Sequence, residues 1–326
     1  MSYAVILSAG QWYEAMTKQG PMINSMGSLI FVGALAVLAL AACSSPAPDE
    51  LGGRLVFERK VDGNADIYVM AIDGSGLTRL TDAPGWDGAP AWSPDTSQIV
   101  FASDRAGGPA IYVMNADGSN PRPLTDPSNA SLTPSWSPDG RQIAFASTQG
   151  DETAGEQGID AGFEIWVMNA DGSDLRRITS DPTAQSLYPS WGPKSDRLIY
   201  AQQAGDKGSL VTQLLRDDAL PRPAGDAVDG LPSAPAWSPG ENRIAYALER
   251  QGQVELWQAR PDGGDPHLLG QAGPSGGEPA WSPDGKHIVF VSDQDGVRSL
   301  AIMDADGKNV RRLTVDDAAY AHPDWQ

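Results

Sequence analysis

The sequence predicts an all-β chain folded as a six-bladed β-propeller of four-stranded antiparallel blades. Three observations predict it. The triplet Pro-x-Trp occurs six times, as Pro90-Ala91-Trp92, Pro134-Ser135-Trp136, Pro189-Ser190-Trp191, Pro235-Ala236-Trp237, Pro279-Ala280-Trp281 and Pro323-Asp324-Trp325. The tryptophans lie 44, 55, 46, 44 and 44 residues apart. Between them run short β-branched and aromatic stretches broken by turn residues, and no segment keeps a helical period for three turns. A period near 44 with four short strands per unit marks a propeller, whose sheets bury their faces only by stacking on neighbours.

The N-terminal part reads as an export signal. Leu29 to Ala42 is a run of 14 apolar or small residues, too short to cross a bilayer and suited to the h-region of a secretory signal. Residues 1–42 are assigned to that signal. Met16 and Met22 are both candidate starts; a start at Met16 places Lys18 near the N-terminus, so residues 1–15 read as sequence upstream of the true start. Leu40-Ala41-Ala42-Cys43 resembles the bacterial lipobox, which implies a diacylglyceryl group on Cys43 as the new N-terminus. Residues 43–53 then form a lipid-anchored tether. A plain cleaved signal with an incidental Cys43, or an uncleaved anchor, are the alternatives. Cys43 is the only cysteine, so no internal disulfide is available.

Residues 54–326 hold the repeats. The second shows the grammar. Gln98-Ile99-Val100-Phe101-Ala102-Ser103 is strand b, and Ala110-Ile111-Tyr112-Val113-Met114 is strand c. Asn115-Ala116-Asp117-Gly118-Ser119 is a hairpin turn, since Gly accepts positive φ and Asp tolerates it. Pro121-Arg122-Pro123-Leu124-Thr125 is strand d, where prolines suit an edge. Pro134-Ser135-Trp136 opens the next unit as strand a. Repeat four is the most degenerate, with Leu210-Val211-Thr212 followed by Asp217-Asp218, and Gly192 after Trp191 where other units have serine. The repeats begin with a strand b, Arg54-Leu55-Val56-Phe57, and finish with a strand a at Trp325. Each end supplies what the other lacks. The last strand is therefore expected to complete the first blade and close the ring, removing two open edges.

Repeats of the form Pro-x-Trp-Ser-Pro-Asp-Gly, then Ile-x-Phe-x-Ser, then Ile-Tyr-Val-Met-Asn-Ala-Asp-Gly resemble the WD40-like repeats of the TolB propeller family over residues 54–326. The resemblance implies a periplasmic protein of the cell envelope that binds other proteins. The same repeat is also found in other secreted propellers and in propellers of prolyl-oligopeptidase-like peptidases.

The net charge is −19. It argues against nucleic acid as a partner, which calls for a basic stripe. Gly273-Pro274-Ser275-Gly276-Gly277 fits a nucleophile-elbow pattern by chance, without a strand-to-helix context. The three histidines, His267, His287 and His322, lack metal-type spacing. No catalytic residue, metal or other cofactor is expected. The one metal alternative is calcium at the loops starting at Asn115, Asn169 and Asp304, but their glycine comes at position four and the distal glutamate is missing.

In a four-strand meander the b–c loops and d–a connectors share one face, and sequence variety concentrates there. The residues ahead of each strand-a proline are expected to ring the channel mouth as a ligand site: Asp87, Thr133, Tyr188, Ser233, Glu278 and His322, with Trp86 and Tyr320 beside them. The b–c insertion at residues 148–160 lies on the same face and reads as a surface loop or a partner-binding finger. The expected function is a lipid-anchored, extracytoplasmic, monomeric scaffold facing the periplasm or cell exterior. Its partner would be an envelope protein or peptide segment, or a glycan, and it would meet the membrane through the anchor alone. The alternatives are a lyase or glycan hydrolase using mouth carboxylates with His322, or an extracellular sensor module. A tight His and Asp/Glu cluster at the mouth would favour the enzyme.

Overall fold

The computed structural model describes residues 52–150, 162–216, 219–225, 229–240 and 242–326. The signal at 1–42, Cys43, most of the 43–53 tether, Asp217-Asp218 and all but the start of the 148–160 insertion lie outside the described residues.

Six four-stranded antiparallel sheets form the ring. The first blade is built, from the axis outward, of Ala319–Trp325, Arg54–Val61, Asn64–Ala71 and Thr78–Arg79. Its innermost strand is the last in the chain, as the phase of the repeats requires. Leu55 faces Trp325 and Arg59 faces Tyr320 across this splice. Arg54 and Gln326 exchange backbone hydrogen bonds at 2.6 and 3.1 Å. The other inner strands are Asp87–Trp92, Ser131–Trp136, Gln185–Trp191, Leu231–Trp237 and Gly277–Trp281. Each packs on the next, and Ala319–Trp325 packs on both Asp87–Trp92 and Gly277–Trp281, so the ring is closed.

The core lies in the seams between blades. Alternate residues of strands b and c face the two neighbours, and six apolar clusters fill six seams. The motif tryptophans belong to these clusters. Some also hydrogen-bond across a seam: Trp191 Nε1 donates to the Ser135 carbonyl at 3.0 Å and Trp281 Nε1 to that of Ala236 at 3.1 Å. The middle residue of the triplet stitches seams too, since Ser190 Oγ accepts from the Trp237 N–H at 3.2 Å.

Strand d is only two residues long in five blades. In four of them a threonine cuts the ladder short, because its hydroxyl replaces the backbone acceptor. Thr81, Thr125, Thr179 and Thr314 Oγ1 each accept a strand-c N–H at 2.8–3.0 Å. The fifth blade has Gly270 at that position, and its outer strand runs on through His267–Gly273.

The Ser-Pro-Asp-Gly and Asn-Ala-Asp-Gly segments are self-satisfied turns. Ser137 Oγ donates to Asp139 and accepts from the Gln142 N–H. Asp117 accepts from the Ser119 N–H and Asp171 from that of Ser173, both at 2.9 Å.

Candidate functional site

One backbone device repeats around the channel. In every blade the pairing of strand a with strand b slips by one residue just ahead of the triplet, as between Gly88/Ala91 and Leu132/Ser135. The extra residue forms a β-bulge, the setting in which a proline that cannot donate a ladder bond is tolerated. The residue before each proline takes positive φ: Ala89 48°, Thr133 49°, Tyr188 55°, Ala234 44°, Glu278 54° and His322 47°. This conformation is costly for a side-chain-bearing residue, and more so before proline. It recurs six times because the bulge imposes it. Bulges re-aim side chains, and here they aim them toward the axis. Tyr188 in the fourth blade comes close enough to feel the charges of Glu278 and Arg298 in the sixth.

Thr133, Tyr188, Glu278 and His322 therefore stand in the ring where the sequence placed them. In the second and fifth blades the ring position is held by Ala89 and Ala234, not by Asp87 and Ser233. Asp87 lies two residues earlier and is buried under Arg105, whose Nη2 contacts both its carboxylate oxygens at 2.9 Å. The same guanidinium lies 5.0 Å over the Tyr112 ring. Ser233 pairs with Ala247 in the ladder. Tyr320 is 2% exposed. Its hydroxyl donates to Asp316 at 2.9 Å and accepts from Arg59 Nε at 3.1 Å, which makes it a brace beneath the mouth. Trp86 bridges to Ala65 of the first blade.

The mouth carries one concentrated charge cluster, formed by the sixth and first blades. His322 Nδ1 lies 3.2 Å from Glu58 Oε2, and its Nε2 is 4.0 Å from Glu278 Oε1. Arg298 Nη2 donates to Glu278 Oε1 at 2.8 Å, and the His322 backbone N–H donates to Glu278 Oε2. Burial would lift the Glu278 carboxyl, but His322 and Arg298 outweigh it and hold it below the usual range. Burial would also favour neutral His322, yet Glu278 and then Glu58 outweigh that and raise it. Burial, with the Glu278 charge, pushes the Tyr188 phenol up to about 12. The cluster is thus an internally compensated ion network, with the imidazolium between two carboxylates.

Sequence reading did not find Glu58, Arg298 or Arg105. Glu58 sits in a strand b that otherwise reads as core and meets His322 from 264 positions away. The two arginines belong to b–c loops, so cations on that face of an acidic chain were the available signal. Gly88 makes the close approach possible: a Cβ there would lie 2.2 Å from Glu58 Oε2 and 2.4 Å from Trp86 Nε1. Ser275 of the elbow-like segment donates to Asp293 in a connector turn and is far in kind from a nucleophile beside a histidine. Among the described residues, no group of three or more His, Cys, Asp or Glu side chains is arranged to hold a metal ion.

Six repeated four-stranded blades, closed into a ring with a bulged inner strand in each, define a six-bladed repeat β-propeller. The chain belongs to the TolB beta propeller domain family, whose sequence model matches residues 37–213 and again 151–326. It is 38% identical over 173 residues to the Tol-Pal system protein TolB of Anaeromyxobacter dehalogenans (strain 2CP-C), covering 51% of this chain and 39% of that protein. The match therefore spans well under half of that relative's length. Among solved structures, TolB from Acinetobacter baumannii superposes with a TM-score of 0.72 at 18% identity, over 84% of this chain and 66% of that one. An oligogalacturonate lyase in complex with manganese superposes with a TM-score of 0.52 at 14% identity, over 79% and 86%. At these identities the two structures share the fold with this chain.

Proposed function

We propose that this protein is an exported, lipid-anchored propeller that holds a segment of an envelope protein at its channel mouth. The observation that carries the reading is the asymmetry of the inner ring. The arc of the sixth and first blades presents the Glu58–His322–Glu278–Arg298 network. The rest of the ring is small or aromatic: Ala89, Thr133, Tyr188 and Ala234. A peptide segment entering there meets charges that orient it on one side. Tyr188 offers apolar contact at low entropic cost on the other. Thr133 Oγ1 is buried with no hydrogen-bond partner among the described residues. Membership of the TolB propeller family and the Tol-Pal relatives support an envelope setting and a protein partner. The net charge of −19 supports a partner other than nucleic acid.

The experiment is a capture from native membranes with paired variants. Tyr188→Ala should lose the specific partner, whereas Ser119→Ala with Ser173→Ala, on the opposite face, should keep it. The reverse pattern would place the site on the turn face.

The charge cluster is the one observation that favours a second reading, acid–base catalysis on a glycan. Against it, both carboxylates are engaged in ion pairs and His322 is biased toward its charged form, so the network offers no free base. Turnover of acidic oligosaccharides that disappears in His322→Gln would establish the enzyme reading.

A further inference from the structure

The six motif tryptophans are not equally covered. Trp92, Trp136, Trp191, Trp281 and Trp325 are at most 8% exposed, whereas Trp237 is only half-buried. The cause is one residue in the preceding blade. Each tryptophan shares a cluster with the residue that follows strand-d position two: Leu80 with Trp92, Leu124 with Trp136, Ile178 with Trp191, Leu269 with Trp281 and Leu313 with Trp325. At Trp237 that residue is Ala224. A second departure lies on the same seam. Gly192 replaces the buried serine that Ser93, Ser137, Ser238 and Ser282 supply elsewhere. The Arg197 stem moves into the vacated space, so that a Cβ at Gly192 would lie 2.7 Å from its Cγ.

Gly192 and the less-covered Trp237 border a cleft of about 500 Å³ between the fourth and fifth blades. Trp237, Leu214, Pro193 and Pro261 supply apolar wall. Lys194, Arg197, Arg222 and Arg260 also line it, with Arg197 Nε paired to Asp196 at 2.8 Å and Arg260 Nε to Asp262 at 3.3 Å. This is a local surplus of cations on a chain of net charge −19. The cleft lies among the a–b and c–d turns, on the face away from the channel mouth.

We propose that this cleft binds the free C-terminal carboxylate of a peptide whose last residue is apolar. Guanidinium groups recognise carboxylates through paired hydrogen bonds. The overall negative field disfavours a bare anion, so the occupant must also bury apolar surface, which Trp237 and its neighbours provide. The volume falls within the range of ordinary ligand clefts and suits a short chain end.

The test titrates the full chain with acetyl-Ala-Ala-Leu as the free acid and as the C-terminal amide. Trp237 is followed through its indole N–H resonance, assigned with Trp237→Phe. The acid should shift that resonance, and the amide should bind at least about tenfold more weakly. Ala224→Leu restores the side chain class found in the other seams. It should abolish the shift while keeping or raising the melting temperature. Arg222→Gln with Arg260→Gln should weaken the acid by about tenfold or more without unfolding the protein. Equal binding of acid and amide, no shift with either, or undiminished binding in both Ala224→Leu and the arginine pair would overturn the proposal.

Discussion

The Asp324 carboxylate of the first blade accepts a hydrogen bond from the backbone N–H of Trp92 in the second, at 2.7 Å. It is a charge placed across the seam next to the splice that closes the ring. Burial lifts its pKa to about 6, and the Trp92 and Trp325 amides offset this only in part. A carboxyl whose folded pKa is raised binds more protons in the native state. Stability therefore falls as pH rises from about 4 to about 6 and stays lower above that. Asp324→Asn keeps an acceptor for the Trp92 N–H and removes the charge. Its melting temperature should exceed the wild type at pH 8, with the gap closing toward pH 4. A constant gap across that range would show that the carboxylate does not carry the effect.

His322 has the opposite sign. Its folded pKa is raised by Glu278 and Glu58, so its stabilisation is complete below the ordinary histidine value of 6.5 and is lost as pH climbs through the folded pKa. His322→Gln should cost about 1.5–3 kcal/mol at pH 6, as expected for a hydrogen bond to a charged group, and progressively less at alkaline pH. Glu278, whose pKa is lowered, contributes stability above the usual glutamate range that is lost on acidification through its folded pKa. Denaturant titrations of wild type and variant from pH 3 to pH 9 separate the two, Glu278 at the acid end and His322 at the alkaline end. A pH-independent difference would leave His322 as packing only.

Removing Pro323 to Gln326 takes away Trp325, which is 3% exposed, and the part of the ladder that pairs Trp325 with Leu55 and Asp324 with Val56. Loss of a buried tryptophan costs roughly 3–5 kcal/mol on its own. That is a large share of a typical domain stability of about 5–15 kcal/mol. The truncated protein should unfold at markedly lower urea. An unchanged midpoint would mean that the splice contributes nothing to closure.

Much of this architecture was legible from local chemistry. Pro-x-Trp set the phase, Asp-Gly marked the c–d hairpins, and the orphan strand at Trp325 matched the unpaired strand at Arg54. Two ring positions were misassigned although local sequence marks them: Ala89 and Ala234, not Asp87 and Ser233, directly precede Pro90 and Pro235. The positive φ that the bulge imposes at that position was not legible, because it depends on pairing with strand b. The pairing of Glu58 with His322 joins residues 264 positions apart, and no local pattern encodes it. The two-residue length of strand d was hidden in single threonines such as Thr125, whose hydroxyl role needs the neighbouring strand to be in place.

Gly88 offers a sharper probe of the mouth than any charged residue. A methyl at this position collides with Glu58 and with the Trp86 indole. Gly88→Ala should displace Glu58 from His322, lower the folded His322 pKa and destabilise the protein by about 1–3 kcal/mol, the usual range for overpacking. Titration of the His322 ring by NMR reads the first effect directly. An unmoved pKa would show that Glu58 does not hold the imidazolium.

The proposed anchor at Cys43 is open to mass measurement. Protein extracted from membranes should begin at Cys43 and carry the added mass of a diacylglyceryl group. A chain that extends upstream of an unmodified Cys43 would reject lipidation.

The bulge before each proline accepts Ala, Thr, Tyr, Ala, Glu and His in one and the same backbone conformation. Geometry there is dictated by the proline and the ladder on either side, so the identity of the side chain is left free. Outside the Glu278–His322 pair, which is tied into the ion network, the mouth thus behaves as a set of interchangeable sockets on a fixed frame. New specificities could be drafted by swapping single residues at these sockets, with the strain already met by the repeat and the remaining blades untouched.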